Sequence, residues 1–130
     1  MVDYFLDLVN FSKKFNAHIE NVPTGEVPED VKNLRIRLIE EEWAETKKAM
    51  EEKDIVEIAD GLADLLYVVF GTAVAYGIPI DEVFRAVHWS NMSKVHPDGT
   101  VKRDEFGKIL KPDGFRPPTE MIRRIVLGSN

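Results

Sequence analysis

Cysteine is absent from this 130-residue chain. Disulfides and thiolate metal sites are therefore excluded. Long hydrophobic runs are missing too: no uninterrupted apolar stretch approaches the ~18 residues that read as a bilayer-spanning helix. Strand-like alternation appears nowhere over a convincing length, and there are no internal repeats or low-complexity tracts. Basic charge is short, with 17 Lys and Arg against 23 Asp and Glu, for a net charge of −6. That balance argues against a generic nucleic-acid partner. The opening Met1-Val2-Asp3-Tyr4 carries an acid where an export signal would carry lysines. The expectation is a cytoplasmic protein with no membrane partner.

What is present fits a globular chain. Hydrophobic residues make up 44% and charged residues 31%, and the length suits one domain spanning 1–130. The charge is unevenly distributed. Residues 1–87 hold 9 basic and 18 acidic side chains, a net of −9. Residues 88–118 hold 6 basic and 4 acidic ones, a net of +2. Acidic clusters can hold hard cations, and basic loops can hold phosphates.

The periodicity predicts only helices. Tyr4, Leu8, Phe11 and Phe15 are spaced by three and four, predicting a first helix over 3–15 with those four as its apolar stripe. Pro23, Gly25 and Pro28 mark a loop. A second helix is expected from about 29 to 53, with Glu29 and Asp30 in its first turn. Asp54 is placed to cap a third helix, and Glu57 stands at the spacing of a capping box. That helix should run to the Gly77-Ile78-Pro79 break. A fourth is expected from about Pro79 to Ser93, and Thr119 is placed to cap a short last helix ending at Leu127. Residues 94–118, rich in Pro and Gly, read as a long irregular loop, and loops of that length are usually functional or disordered. The expected class is all-α, a bundle of four to five helices.

The acids fall on an unexpected face. At 100° per residue, Val31, Leu34, Leu38 and Ala49 share one stripe of the second helix, and Glu41, Glu42 and Glu45 continue it. Glu40, Glu51 and Glu52 read as solvated. Ile36, Ile39 and Trp43 form a second apolar face, and a helix apolar on two sides points to an oligomer. On the third helix, Glu57, Asp60, Gly61, Asp64 and Gly71 share a side, with Tyr67 at its border. Asp64 lies in the run Leu62-Ala63-Asp64-Leu65-Leu66, which is expected to be largely buried. Unpaired buried carboxylates cost several kcal/mol each, so they either stay protonated or surround a cation. Oxygen-only donors suit Mg²⁺ or Mn²⁺.

Two segments carry a family resemblance: Leu38-Ile39-Glu40-Glu41-Glu42-Trp43-Ala44-Glu45, and Asp60-Gly61-Leu62-Ala63-Asp64-Leu65-Leu66-Tyr67-Val68. Together they resemble the all-α nucleoside triphosphate pyrophosphohydrolases, which include the MazG-like enzymes, the dimeric dUTPases and phosphoribosyl-ATP pyrophosphohydrolase. Val87 to Lys94 and Gly107 to Pro112 are similar to the segment after the helices in the MazG-like branch, as is Phe11 to Pro23. One position departs from the pattern. Glu42 and Glu45 match the family's Glu-x-x-Glu, but Gly61 stands where its second motif, Glu-x-x-Asp, would place Glu before Asp64. Asp60, one turn before Asp64, is the preferred replacement, with Glu57-Ile58-Ala59-Asp60 as the alternative register.

The resemblance implies hydrolysis of a nucleoside triphosphate to its monophosphate and pyrophosphate, in nucleotide-pool control or house-cleaning. It implies Mg²⁺, with Mn²⁺ able to substitute, held by Glu41, Glu42, Glu45, Asp60 and Asp64, with Glu41 as the base that activates water. Lys94, Lys108 and Lys111 would contact phosphates, Asn91 phosphate or sugar, and Tyr67 the sugar, while Asn16 and His18 are candidates for base choice. A homodimer or homotetramer is expected. The alternatives are phosphoribosyl-ATP as substrate, or a non-catalytic helical metal-binding or assembly module.

Overall fold

The computed structural model describes residues 3–128. Met1 and Val2, half of the opening read for an export signal, lie outside the described residues, as do Ser129 and Asn130. The elements are α1 (Tyr4–Lys14), α2 (Glu29–Glu52), α3 (Ile55–Ala75), α4 (Ile80–Met92) and α5 (Thr119–Leu127). No β-strand occurs among the described residues, so the class is all-α. The chain divides into two compact units, one up to Ile80 and one from Asp81 onward.

In the first unit, α3 packs along α2 and also against α1. Local chemistry sets the helix ends. Asp3 is extended at φ −105° and accepts the Leu6 N–H at 3.0 Å, while Lys13 and Lys14 sit at the carbonyl end of α1. Lys53, left-handed at φ 59°, closes α2. Asp54 then starts α3 by accepting the N–H groups of Val56 and Glu57 at 3.1 and 3.2 Å. The capping box is only half formed, because the Asp54 N–H donates to the Ala49 carbonyl at 3.2 Å rather than to Glu57. Gly77, at φ +70°, reverses the chain after α3, and a Cβ there would lie 2.7 Å from the Val22 carbonyl oxygen. The α1–α2 loop bonds to the carbonyls at this end: Glu20 N–H donates to Val74, which also accepts from Gly77 N–H, and Thr24 N–H donates to Tyr76.

The apolar stripe expected on α1 is displaced. Leu8 and Ser12 are the buried residues, while Tyr4, Phe11 and Phe15 are exposed. The Tyr4 and Phe11 rings lie against α3, Tyr4 stacked 6.3 Å from Phe70 and Phe11 edge-to-face with Tyr67 at 5.3 Å, while the Phe15 ring packs on Phe11 at 4.6 Å. The Leu62–Leu66 run is also more open than expected. Asp64 is half-buried, but Leu66 keeps 54% of its surface exposed. The most apolar window of α3 has a mean hydropathy of 1.6 with 28% of it buried, so by length and composition this helix could cross a bilayer. Asp60 and Asp64 interrupt the run that the sequence reading looked for, and each would cost about 2.5–3.5 kcal/mol at a bilayer centre.

In the second unit, α5 begins at Thr119 itself. Pro118 occupies the N-cap position and no side chain caps the helix. The segment between α4 and α5 is not wholly irregular. An antiparallel bridge pairs Arg103 with Ile109. Asp104 organises that turn, its carboxylate accepting the N–H groups of Phe106 and Lys108 at 2.9 Å each.

Candidate active site

Two contacts fix the register of α2 against α3. Thr46 is fully buried, and its hydroxyl donates to the Glu42 carbonyl at 2.7 Å. It lies directly against Gly61, where a Cβ would sit 2.6 Å from Thr46 Oγ1 and 3.1 Å from Thr46 Cα. At the other contact, Arg35 crosses over Gly71, where a Cβ would sit 2.6 Å from Arg35 Nη2. Between these contacts α2 and α3 run in opposite directions, which sets Glu42 level with Asp64.

Glu42 is the centre of the acidic face. It is half-buried, and its Oε2 is buried without a hydrogen-bond partner. Desolvation raises its carboxyl pKa above the usual carboxylate range, and the charges of Asp64, Glu45, Glu41 and Asp60 push it further. Glu57 is exposed and is not among those charges. Asp64 is half-buried, while Glu45 and Asp60 are exposed. Glu41 is exposed as well, and its Oε1 accepts from Arg37 Nε at 2.8 Å. Among the described residues, no three of these acids converge into a ready-made metal cage. The donor set still suits a hard cation. Glu42 Oε2 needs a proton or a positive charge, and of the exposed carboxylates around it Glu45 and Asp60 join no ion pair among the described residues.

Gly61 therefore has a packing role. Aligned on Asp64, the family's acid would fall where the two helices touch and no side chain fits. The carboxylate one residue earlier, Asp60, acts on Glu42 from outside that contact.

The other candidates fall as follows. The exposed Tyr67 edge meets Phe11. Asn16, left-handed at φ 55°, and the half-buried His18 line a cavity of about 430 Å³ with Asp30, Leu34, Arg35 and Ala75. His18 pairs with Glu20. In the second unit, Asn91 is exposed in the last turn of α4, Lys94 is half-buried, and Lys108 and Lys111 are exposed. Lys94 and Lys111 both approach the Phe115 ring.

Sequence reasoning missed Arg35, whose Nε donates to Thr72 Oγ1 and whose Nη2 donates to the Val68 carbonyl, both at 3.1 Å. Burial lowers its pKa from the usual arginine value. The available signal was a cation between Leu34 and Leu38 on the apolar stripe. Thr46 and Phe115 were also missed, and neither stands out by residue type.

Helices paired through small residues, with acids facing each other across the seam, form the arrangement that the comparisons identify: the chain is a member of the all-α, MazG-like NTP pyrophosphohydrolase superfamily. The chain belongs to the phosphoribosyl-ATP pyrophosphohydrolase family, whose model matches residues 8–91. It is similar to a solved structure from Exiguobacterium sp. 255-15, provisionally assigned as an NTP pyrophosphohydrolase. That match has a TM-score of 0.52 and 25% identity, covering 97% of this chain and 95% of the other. It is also 45% identical over 71 residues to an uncharacterised protein of Acanthamoeba polyphaga mimivirus. That match covers 55% of this chain, which spans 28% of the viral protein's length.

Proposed function

We propose that this chain is a metal-dependent nucleoside triphosphate pyrophosphohydrolase, converting a ribo- or deoxyribonucleoside triphosphate to its monophosphate and pyrophosphate. The observation that carries this reading is the unpartnered Glu42 Oε2, set among the charges of Asp64, Glu45, Glu41 and Asp60. Glu42, Glu45, Asp60 and Asp64, with Glu41 beside them, would hold Mg²⁺ or Mn²⁺. When bound there, the ion would supply positive charge to offset that on the phosphate oxygens. Water adds its oxygen to the α-phosphorus and pyrophosphate leaves. Glu41 is the proposed acceptor of the water's proton, and Arg37 orients it through the 2.8 Å bond. Lys94, Lys108 and Lys111 are proposed phosphate contacts, on their charge and on the family pattern, and Asn91 is a proposed hydrogen-bond partner of phosphate or sugar on the family pattern alone. Asn16 and His18 are proposed to influence base choice from the cavity they line.

We also read the chain as a homodimer or homotetramer. Ile36 and Trp43 on α2, and Leu62, Leu66 and Val69 on α3, are all exposed. Apolar residues at this density on two neighbouring helices fit a subunit interface.

The test is pyrophosphate release from a panel of canonical and modified nucleoside triphosphates, with Mg²⁺ or Mn²⁺ and with chelator. Phosphoribosyl-ATP belongs in the panel because the family match favours it as the second reading. Metal-dependent formation of monophosphate and pyrophosphate is the expected result. A folded protein silent across the whole panel would overturn the proposal and favour a non-catalytic helical module.

A further inference from the structure

Phe115 gathers two cations. Lys111 Nζ lies 5.2 Å from the centroid of its ring and Lys94 Nζ lies 5.9 Å away. Neither ammonium joins an ion pair among the described residues. Two like charges repel, so their sharing of one ring needs an offsetting attraction, and the electron-rich face of the ring supplies it.

The backbone that carries the ring is held on both sides. Phe115 N–H donates to the Pro112 carbonyl at 3.0 Å, closing a tight turn on a buried proline. The next residue is fastened to the end of α4: Arg116 N–H donates to Ser93 Oγ at 3.2 Å, and the buried Ser90 hydroxyl donates to the Arg116 carbonyl at 2.6 Å. The Arg116 guanidinium in turn lies 5.8 Å from the Trp89 ring centroid. Lys94, just past α4, and Lys111, from the far side of the Arg103–Ile109 bridge, thus meet at one aromatic side chain whose backbone is anchored.

The choice of partner decides the chemistry. A carboxylate would hold each ammonium and neutralise it. An aromatic ring holds the ammonium while leaving its charge and N–H donors open to an anion. Free lysine side chains lose rotamer freedom when they bind, and holding them beforehand lowers that cost.

We propose that Phe115 is a positioning residue that holds Lys94 and Lys111 as a preformed clamp for a polyphosphate anion. This rests on the reading of those lysines as phosphate contacts. The probe is inorganic tripolyphosphate, titrated calorimetrically into the full chain and its variants. Lys94→Met and Lys111→Met should each weaken binding. Phe115→Leu keeps an apolar side chain but removes the π face, and should weaken binding by at most about five- to thirtyfold, the combined effect of two cation–π contacts at an exposed site. Phe115→Tyr should restore it. For a hydrolysed nucleotide, Phe115→Leu should raise KM and leave kcat near the wild-type value, a split that general loosening of the fold would not give. In the wild-type protein, the ε-methylene protons of Lys94 and Lys111 should show upfield ring-current shifts by NMR, a readout that needs no variant. Absence of those shifts overturns the proposal. So does tripolyphosphate binding that is weakened by the lysine variants yet unchanged in Phe115→Leu. If the lysine variants also bind as tightly as wild type, the phosphate-contact reading falls with it.

Discussion

Gly61 and Thr46 meet so closely that a methyl group on the glycine would lie 2.6 Å from Thr46 Oγ1 and 3.1 Å from Thr46 Cα. This contact holds α2 and α3 at the separation and register that set Glu42 level with Asp64. Gly61→Ala should therefore destabilise the chain despite alanine's better helix propensity. Overpacking costs about 1–3 kcal/mol, against roughly 1 kcal/mol gained from propensity. The urea midpoint should fall with an unchanged m-value. Adding Thr46→Ala, which removes the nearest clashing atom, should recover part of the loss as a measurable coupling. Gly61→Glu, which would restore the family's acid, should be worse than Gly61→Ala.

Glu42 should make the apo protein less stable at neutral pH. Its carboxyl is raised by burial and by its acidic neighbours, so the folded state holds the proton more tightly than the unfolded chain does. The penalty is absent where both states are protonated. It develops as pH rises above the ordinary carboxylate value and is complete above the folded-state pKa. In chelator, Glu42→Gln should melt above wild type at neutral pH and close to it near about pH 4. Mg²⁺ should raise the melting temperature of wild type more than that of the variant. Equal melting of the two proteins at neutral pH would contradict the burial-driven shift.

Asp64→Asn removes a half-buried charge without changing shape, so helical circular dichroism should be retained. Turnover should fall on the order of a hundredfold or more, as when one preorganised electrostatic group is lost from an active site. Full Mg²⁺-dependent activity in this variant would place the metal elsewhere.

Light scattering at micromolar concentration should report a dimer or a tetramer. Leu66→Asp, placing a charge on the exposed face of α3, should shift the population toward smaller species. A wild-type monomer would remove the case for an interface along Trp43 and Leu66.

Arg35→Met tests the residue that sequence reasoning overlooked. Its loss leaves Thr72 without one partner and the space over Gly71 less well filled. Breaking hydrogen bonds to a charged donor of this kind costs roughly 1.5–3 kcal/mol, and the variant should show a correspondingly lower urea midpoint.

Much of the fold was legible in the chain because its signals are local. Apolar periodicity, the Asp54 cap and the Gly77 break fixed where helices begin and end, and the bounds of α2 to α4 fall within two residues of those expected. The acids of α2 were legible for the same reason, since helical spacing puts Glu41, Glu42 and Glu45 in line with Leu34 and Leu38. Signals that depend on a neighbour were not legible. Thr119 has the chemistry of a cap, yet α5 starts on it. Phe11 and Phe15 have the spacing of a core stripe, yet their rings lie at the surface of α1.

The sequence by itself determined an all-α chain with acids on two successive helices and a basic segment after them, because period, capping and charge are properties of residues close together in the chain. Tertiary structure alone decided which acid matters most and why position 61 is glycine. Those answers depend on how far α3 can approach α2: the contact at Thr46 leaves room for no side chain, and the same approach strips Glu42 Oε2 of water and sets it among four other carboxylate charges.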